Sequence, residues 1–189
     1  MNRPHLLLHI CCGPCATTVI KRLKNEYKIT GFFYNPNIFP LEEYQRRLES
    51  VKKLAQASKI NILTDIYQHE AFLAAIRGWE NEPEGGKRCE VCYRLRLSET
   101  ALMAKKLGLG TVASTLTVGP NKKAEVINNI GRKVSLPLGL KFLAEDWKKK
   151  DGFKESVAIS HLLGLYRQHY CGCEFSFNKK GENHKSFAL

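Results

Sequence analysis

Nowhere does this chain hold the ~20 consecutive apolar residues that a membrane-spanning helix needs, so a helical span is excluded. Its first apolar run, HLLLHI, is too short for a secretory signal, and no small-residue cleavage site follows it. A cytoplasmic protein is therefore expected. Internal repeats and low-complexity linkers are missing as well. The 189 residues read as one domain over 1–177 and a loosely held tail over 178–189. Acids are scarce: 18 Asp and Glu, only three of them Asp, stand against 30 Lys and Arg, for a net charge of +12. That excess favours polyanionic partners, although only a clustered basic face turns it into nucleic-acid binding. Cysteine is not scarce. Seven thiols without an export signal make a poor disulfide framework, because a reducing compartment keeps them free. Metal binding or redox chemistry is the better expectation.

The apolar pattern alternates between two periods. HLLLHI (5–10), KITGFFY (28–34), INILTDIY (60–67) and GTVASTLT (110–117) read as strands. Between them ATTVIKRLKNE (16–26), PLEEYQRRLESVKKLAQAS (40–58) and HEAFLAAIRGW (69–79) read as helices, the second with Leu41, Tyr44, Leu48, Val51 and Leu54 on one face and Pro40 in its first turn. A further helix runs through CYRLRLSETALMAKKLG and ends at Gly108, and AEVINNIG begins another. Beyond residue 140 the pattern weakens. FKESVAISHLLGLYRQHY (153–170) is expected as one helix with Phe153, Val157, Leu162 and Leu165 inward. Strands alternating with helices imply βαβ units and a parallel sheet, an α/β fold with a C-terminal helical segment. Functional loops in such sheets gather outside the carboxyl ends of the strands. ICCGPCA and TLTVGPNKK both fall at that edge, so they are expected to face one cleft.

The cysteines form three groups: Cys11, Cys12 and Cys15; Cys89 and Cys92; Cys171 and Cys173. Two-residue spacers let two thiolates reach one ion from a single turn, and a one-residue spacer does so from an extended bend. Three such loops supply more sulfurs than one tetrahedral metal accepts. Structural zinc, a redox pair at Cys12 and Cys15, an iron–sulfur cluster and buried free thiols are the competing readings. No contiguous ferredoxin run is present, and spacing leaves zinc and iron–sulfur both open. The six histidines are scattered and read individually as packed or solvated side chains.

ICCGPC, FYNPNI followed by EYQRR, EPEGGKRCEVCYRLRL, TLTVGPNKK, EDWKKKDG and YRQHYCGCEFS occur in that order. Together they resemble the QueH-type epoxyqueuosine reductases over roughly residues 5–177. That resemblance implies an adenine-hydrolase-like α/β fold, of the class that includes the PP-loop ATPases, with a cysteine loop in place of the phosphate loop. It implies a cobalamin-independent enzyme of queuosine biosynthesis. The epoxide oxygen of epoxyqueuosine at the wobble position of a tRNA leaves in a two-electron, two-proton step, giving an alkene and water. It also implies a [4Fe-4S] cluster and an additional mononuclear metal, iron or another divalent ion. The electrons would come from a reduced donor such as a ferredoxin or flavodoxin. The family often carries histidine where this chain has Phe39, so that position is left out of the site.

On this resemblance the expected metal ligands are Cys11, Cys12, Cys89, Cys92, Cys171 and Cys173. Cys15, one helical turn on, is expected to pack nearby or to serve a redox role. Asp146 is the expected oxygen ligand or proton donor, and Lys122, Lys123, Lys148, Lys149, Lys150 and Arg167 the expected phosphate contacts to tRNA. The rival readings are a zinc-stabilised nucleic-acid-binding module and a thiol–disulfide oxidoreductase. A PP-loop ATPase is disfavoured because the glycine–serine phosphate loop is lacking at the matching position.

Overall fold

Strand β1 (His5–His9) lies at the centre of a five-stranded, all-parallel sheet in a computed structural model that describes residues 3–177. Its sequence explains the position. Leu6, Leu7 and Leu8 are wholly buried, as a strand covered on both faces requires. Alternate side chains point to opposite faces. Leu6 and Leu8 join the core formed with Val19, Ile20 and Leu23 of α1 (Gly13–Leu23) and Val51 and Leu54 of α2 (Leu41–Ser58). Leu7 joins the opposite core, with Leu97 and Ala101 of α4 (Lys87–Lys106) and Ile127 and Ile130 of α5 (Ala124–Ser135). The short α3 (His69–Ala75) packs on α4 through Phe72.

The strand order is β3-β2-β1-β4-β5, with β2 spanning Lys28–Phe33, β3 Asn61–Thr64, β4 Thr111–Ser114 and β5 Lys141–Phe142. The chain winds outward from β1 through β2 to β3, then crosses to β4 on the other side. The loops leaving β1 and β4 therefore diverge at a topological switch point, where a crevice opens outside the strand ends. The backbone N–H of Cys11 donates to Thr115 Oγ1 at 3.1 Å and ties the two loops together. Gly13 opens α1 with no room for a side chain: a Cβ there would stand 2.9 Å from the Ser50 carbonyl of α2.

Several elements depart from the sequence reading. β4 ends at Ser114, and Leu116–Val118 form a single 3-10 turn. β5 was not expected, since two residues carry no readable period. Pro40 caps α2 from outside the helix and is not within its first turn. The helix expected over 153–170 is α6 (Gly152–Leu162), stopped by Gly164 at φ 55°. Its inward face is Gly152, Ser156 and Ser160, whereas Phe153 and Leu162 are exposed. Small residues are required because α6 lies close on α1, and a Cβ on Gly152 would run into the Trp147 carbonyl. Leu165 is buried as expected, but from the segment beyond the helix. That segment, 163–173, runs back along α2 as a strap to the short α7 (Glu174–Phe177). Arg47 bonds the carbonyls of Tyr170 and Cys171 at 3.1 and 3.0 Å, and Phe39 N–H bonds the Gly172 carbonyl at 2.8 Å. The expected tail at 178–189 lies outside the described residues. Among those residues no helix is long and apolar enough to cross a membrane.

Candidate thiol and metal centre

The backbone after β1 gathers three sulfurs locally. Cys12 is extended (φ −167°, ψ 160°) and caps α1, so Cys15 returns to its side one helical turn later. The Sγ atoms of Cys11, Cys12 and Cys15 all lie within 4.8 Å of one another, with Cys11 and Cys12 3.8 Å apart. Cys15 thus stands with the other two. Thr115 donates to Cys11 Sγ at 3.3 Å, and Gln168 Nε2 to Cys12 Sγ at 3.0 Å. Hydrogen bonds from the Cys12 and Cys15 thiols hold the Cys11 thiol well below its ordinary pKa. The donors pay in kind: Cys12 is pushed up to about 12, first by its bond to Cys11, and Cys15 rises for the same reason. Within the triad, ionisation is therefore easier at Cys11 than at Cys12 or Cys15.

Cys11 and Cys15 line a cavity of about 250 Å³ at the switch point. Its walls are rich in cations: Arg47, Arg96, Lys122 and Arg167 all reach it. Arg47 is buried and paired with Glu43 at 2.7 Å. Burial opposes its charge, but the ion pair with Glu43 raises its pKa. Lys122 turns inward, with Nζ 3.0 Å from Cys171 Sγ and 3.4 Å from a Glu84 oxygen. Burial works against its charge too, yet Cys171 and Tyr93 outweigh it and hold the ammonium protonated. Arg96 is 3% exposed, donates through Nη2 to Asn35 Oδ1 and lies 4.0 Å from Cys92 Sγ through Nη1.

The remaining cysteines arrive from distant elements. Cys89 and Cys92 sit in the first turns of α4, both buried, and Cys89 Sγ accepts from Gly85 N–H at 3.2 Å. Cys92 shares an apolar cluster with Phe72, Ile76 and Cys173. Burial pushes the Cys92 thiol up to about 12 and raises Cys173 as well. Cys171 and Cys173 flank Gly172, whose φ of 125° only glycine adopts readily. Among the described residues, only Cys11, Cys12 and Cys15 form a group of three potential ligands within 4.8 Å.

Asp146 lies apart, in a second cavity of about 780 Å³ shared with Arg22, Lys149 and Lys150. Its Oδ1 is buried without a hydrogen bond, 3.7 Å from Lys148 Nζ. Lys148 also donates to the Lys122 carbonyl, and Lys123 caps α5. Arg167 donates to Ser160 Oγ at 2.7 Å. The cations expected to contact tRNA are thus divided: Lys122 and Arg167 enter the thiol cavity, whereas Lys149 and Lys150 line the cavity of Asp146. Arg96, Arg47, Asn35 and Gln168 are site residues that the sequence reading did not single out. A signal existed for Arg96: spaced four residues from Cys92 and seven from Cys89, it shares their helical face.

A family model described as "Epoxyqueuosine reductase QueH" matches residues 6–179. Curated proteins of that description include one from Thermotoga maritima, 38% identical over 182 residues that cover 95% of this chain and 93% of that one. Another, from Streptococcus pyogenes, is 37% identical over 185 residues, 95% of this chain and 72% of that one. Among solved structures, the U34-tRNA thiolase NcsA from Methanococcus maripaludis, with its [4Fe-4S] cluster, superposes with a TM-score of 0.59 at 13% identity. The match covers 97% of this chain and 69% of that one. A predicted subunit of a tRNA methyltransferase from Methanocaldococcus jannaschii gives 0.50 at 10% identity, over 84% of this chain and 75% of that one. At such identities the two structures speak for the fold alone.

Proposed function

The chain belongs to the QueH family of epoxyqueuosine reductases, and from that premise we propose that its thiol cavity carries the reductive chemistry of a tRNA-modifying oxidoreductase. The observation that carries the reading is the triad of Cys11, Cys12 and Cys15 within 4.8 Å, facing buried cations at the switch point. Its substrate is epoxyqueuosine at the wobble position of tRNA. That base is unpaired in the anticodon loop and is splayed into a cavity at modest cost. Removing the epoxide oxygen takes two electrons and two protons and yields an alkene and water. No side chain supplies the electrons.

The donor set fits an iron–sulfur cluster. Three thiols are already together, one is biased toward thiolate, and Arg96, Arg47 and Lys122 offset negative charge there. Cys11, Cys12 and Cys15 would hold it, with Cys171 at the cavity rim as a fourth sulfur. Bound there, it supplies electrons one at a time from a reduced donor of the ferredoxin or flavodoxin class. Cys89, Cys92 and Cys173 are the candidates for the additional metal, since Cys92 and Cys173 pack together. Asp146 opens onto the second cavity beside Lys148, so its carboxylate is the candidate oxygen ligand there and is not a proton donor to the thiol cavity. Lys122 Nζ, directed at Cys171, orients that side of the cavity, while Lys149 and Lys150 are the candidates for contact with tRNA phosphates.

One spacing favours a second reading. Two sulfurs on one tetrahedral zinc, each about 2.3 Å from it, stand roughly 3.8 Å apart, as Cys11 and Cys12 do at 3.8 Å. An oxygen-free preparation separates the two readings by counting iron, acid-labile sulfide and zinc, with an electron paramagnetic resonance spectrum after reduction. Iron and sulfide in about equal numbers, with reduction of epoxyqueuosine-tRNA driven by dithionite, are expected. Zinc without sulfide would leave a binding module.

A further inference from the structure

Arg96 is a buried charge without an opposite charge of its own. It is 3% exposed, and Asn35, to which it donates, is 1% exposed. Asn35 offers only a neutral amide oxygen, and its own amide nitrogen is engaged by the Ile10 carbonyl at 2.9 Å. Among the described residues, Arg96 Nε has no hydrogen-bond partner. Among the described residues no carboxylate pairs with Arg96 within 4.0 Å, whereas Arg47, another arginine of this cavity, has Glu43 at 2.7 Å. Burying a guanidinium is costly unless an anion compensates it. The groups that can become anionic beside it are thiols: Cys92 at 4.0 Å, and Cys11, which lines the same cavity. Helix α4 supplies the geometry, because Cys89, Cys92 and Arg96 recur on one buried face.

We propose that Arg96 is the built-in counter-cation of the thiol centre, a positioning residue whose fixed charge sets how readily that centre accepts an electron. The inference rests on the reading that the thiols hold a redox cluster. Each one-electron reduction adds one negative charge, taken from a reduced donor of the ferredoxin or flavodoxin class. The electron is taken up at the thiol centre, and no bond to the guanidinium forms or breaks. A permanent positive charge in a water-poor site favours the more negative, reduced form. Asn35 holds that charge in place without neutralising it, which a carboxylate would do.

The test compares wild type, Arg96→Gln, Arg96→Lys and Asn35→Asp, purified without oxygen. Iron and sulfide are counted, and the midpoint potential is read by dithionite titration followed by electron paramagnetic resonance. Arg96→Gln is expected to load iron and yet to shift the one-electron equilibrium about tenfold toward the oxidised form, ~59 mV lower. Arg96→Lys, which keeps a charge, should stay nearer wild type. Asn35→Asp, which sets a carboxylate on the guanidinium, should shift the same way as Arg96→Gln, and it decides the matter where Arg96→Gln does not fold. Loaded variants with the wild-type potential would overturn the role of Arg96 and leave the cluster reading standing. Wild-type protein free of iron and sulfide would overturn both.

Discussion

Cys11, Cys12 and Cys15 come together within one loop and one helical turn, whereas Cys89, Cys92, Cys171 and Cys173 depend on a helix and a strap brought from far along the chain. The two regions also differ in charge. Mutual hydrogen bonds lower the Cys11 thiol, while apolar burial pushes Cys92 up to about 12. Without a metal, Cys11 is thus the thiol most readily ionised, while Cys92 holds its proton. What separates Cys11 from Cys92 is a set of close hydrogen-bond donors around the first and apolar packing with Phe72 and Ile76 around the second.

The comparison breaks most sharply with single Cys→Ser exchanges. Cys11→Ser, Cys12→Ser or Cys15→Ser should each lower bound iron by more than about tenfold, since loss of even an outer partner of a metal site costs that much. Cys92→Ser should lose less, and equal losses would make the two regions one site. Next in size is Glu43→Gln, which strips Arg47 of its buried partner and should cost about 3 kcal/mol in urea unfolding. Arg47 holds the strap at Tyr170 and Cys171, so Cys171 should become more open to thiol reagents while the triad does not.

A milder probe is alkylation of metal-free protein at pH 7. Iodoacetamide reacts with thiolate, so Cys11, with its pKa lowered, should be modified first. Cys92, at about 12, is protonated at that pH and should be modified only as pH rises toward that value. Peptide mapping of the labelled sites reads the order, and a fast Cys92 would erase the distinction. The smallest effect belongs to the outer cavity. Lys149→Ala and Lys150→Ala should each reduce the salt dependence of tRNA binding by about one unit of slope. An unchanged slope would remove them from the phosphate-binding set.

Much of the fold is legible from residues 5 to 135, where apolar residues recur with periods of two and of three to four. The C-terminal third resisted. β5 is two residues long, and α6 turns glycine and serine inward, so hydrophobic periodicity pointed to the wrong face. The triad was visible as adjacent letters, though the cap geometry at Cys12 was needed to bring Cys15 back beside it. Asp146 sat in a matching motif, yet its loop opens onto a different cavity.

By itself, then, the sequence determined the alternation of strand and helix, the switch-point edge and the nearness of three cysteines along the chain, because each depends on neighbours within a turn or a strand. The tertiary structure alone decided that Arg96 is buried without a carboxylate, that Lys122 points at Cys171 and not at solvent, and that the strap brings Gln168 to Cys12. Periodicity reports which side of an element a residue occupies. Which element covers that side, and with what charge, is settled only when segments 49 to 156 residues apart meet.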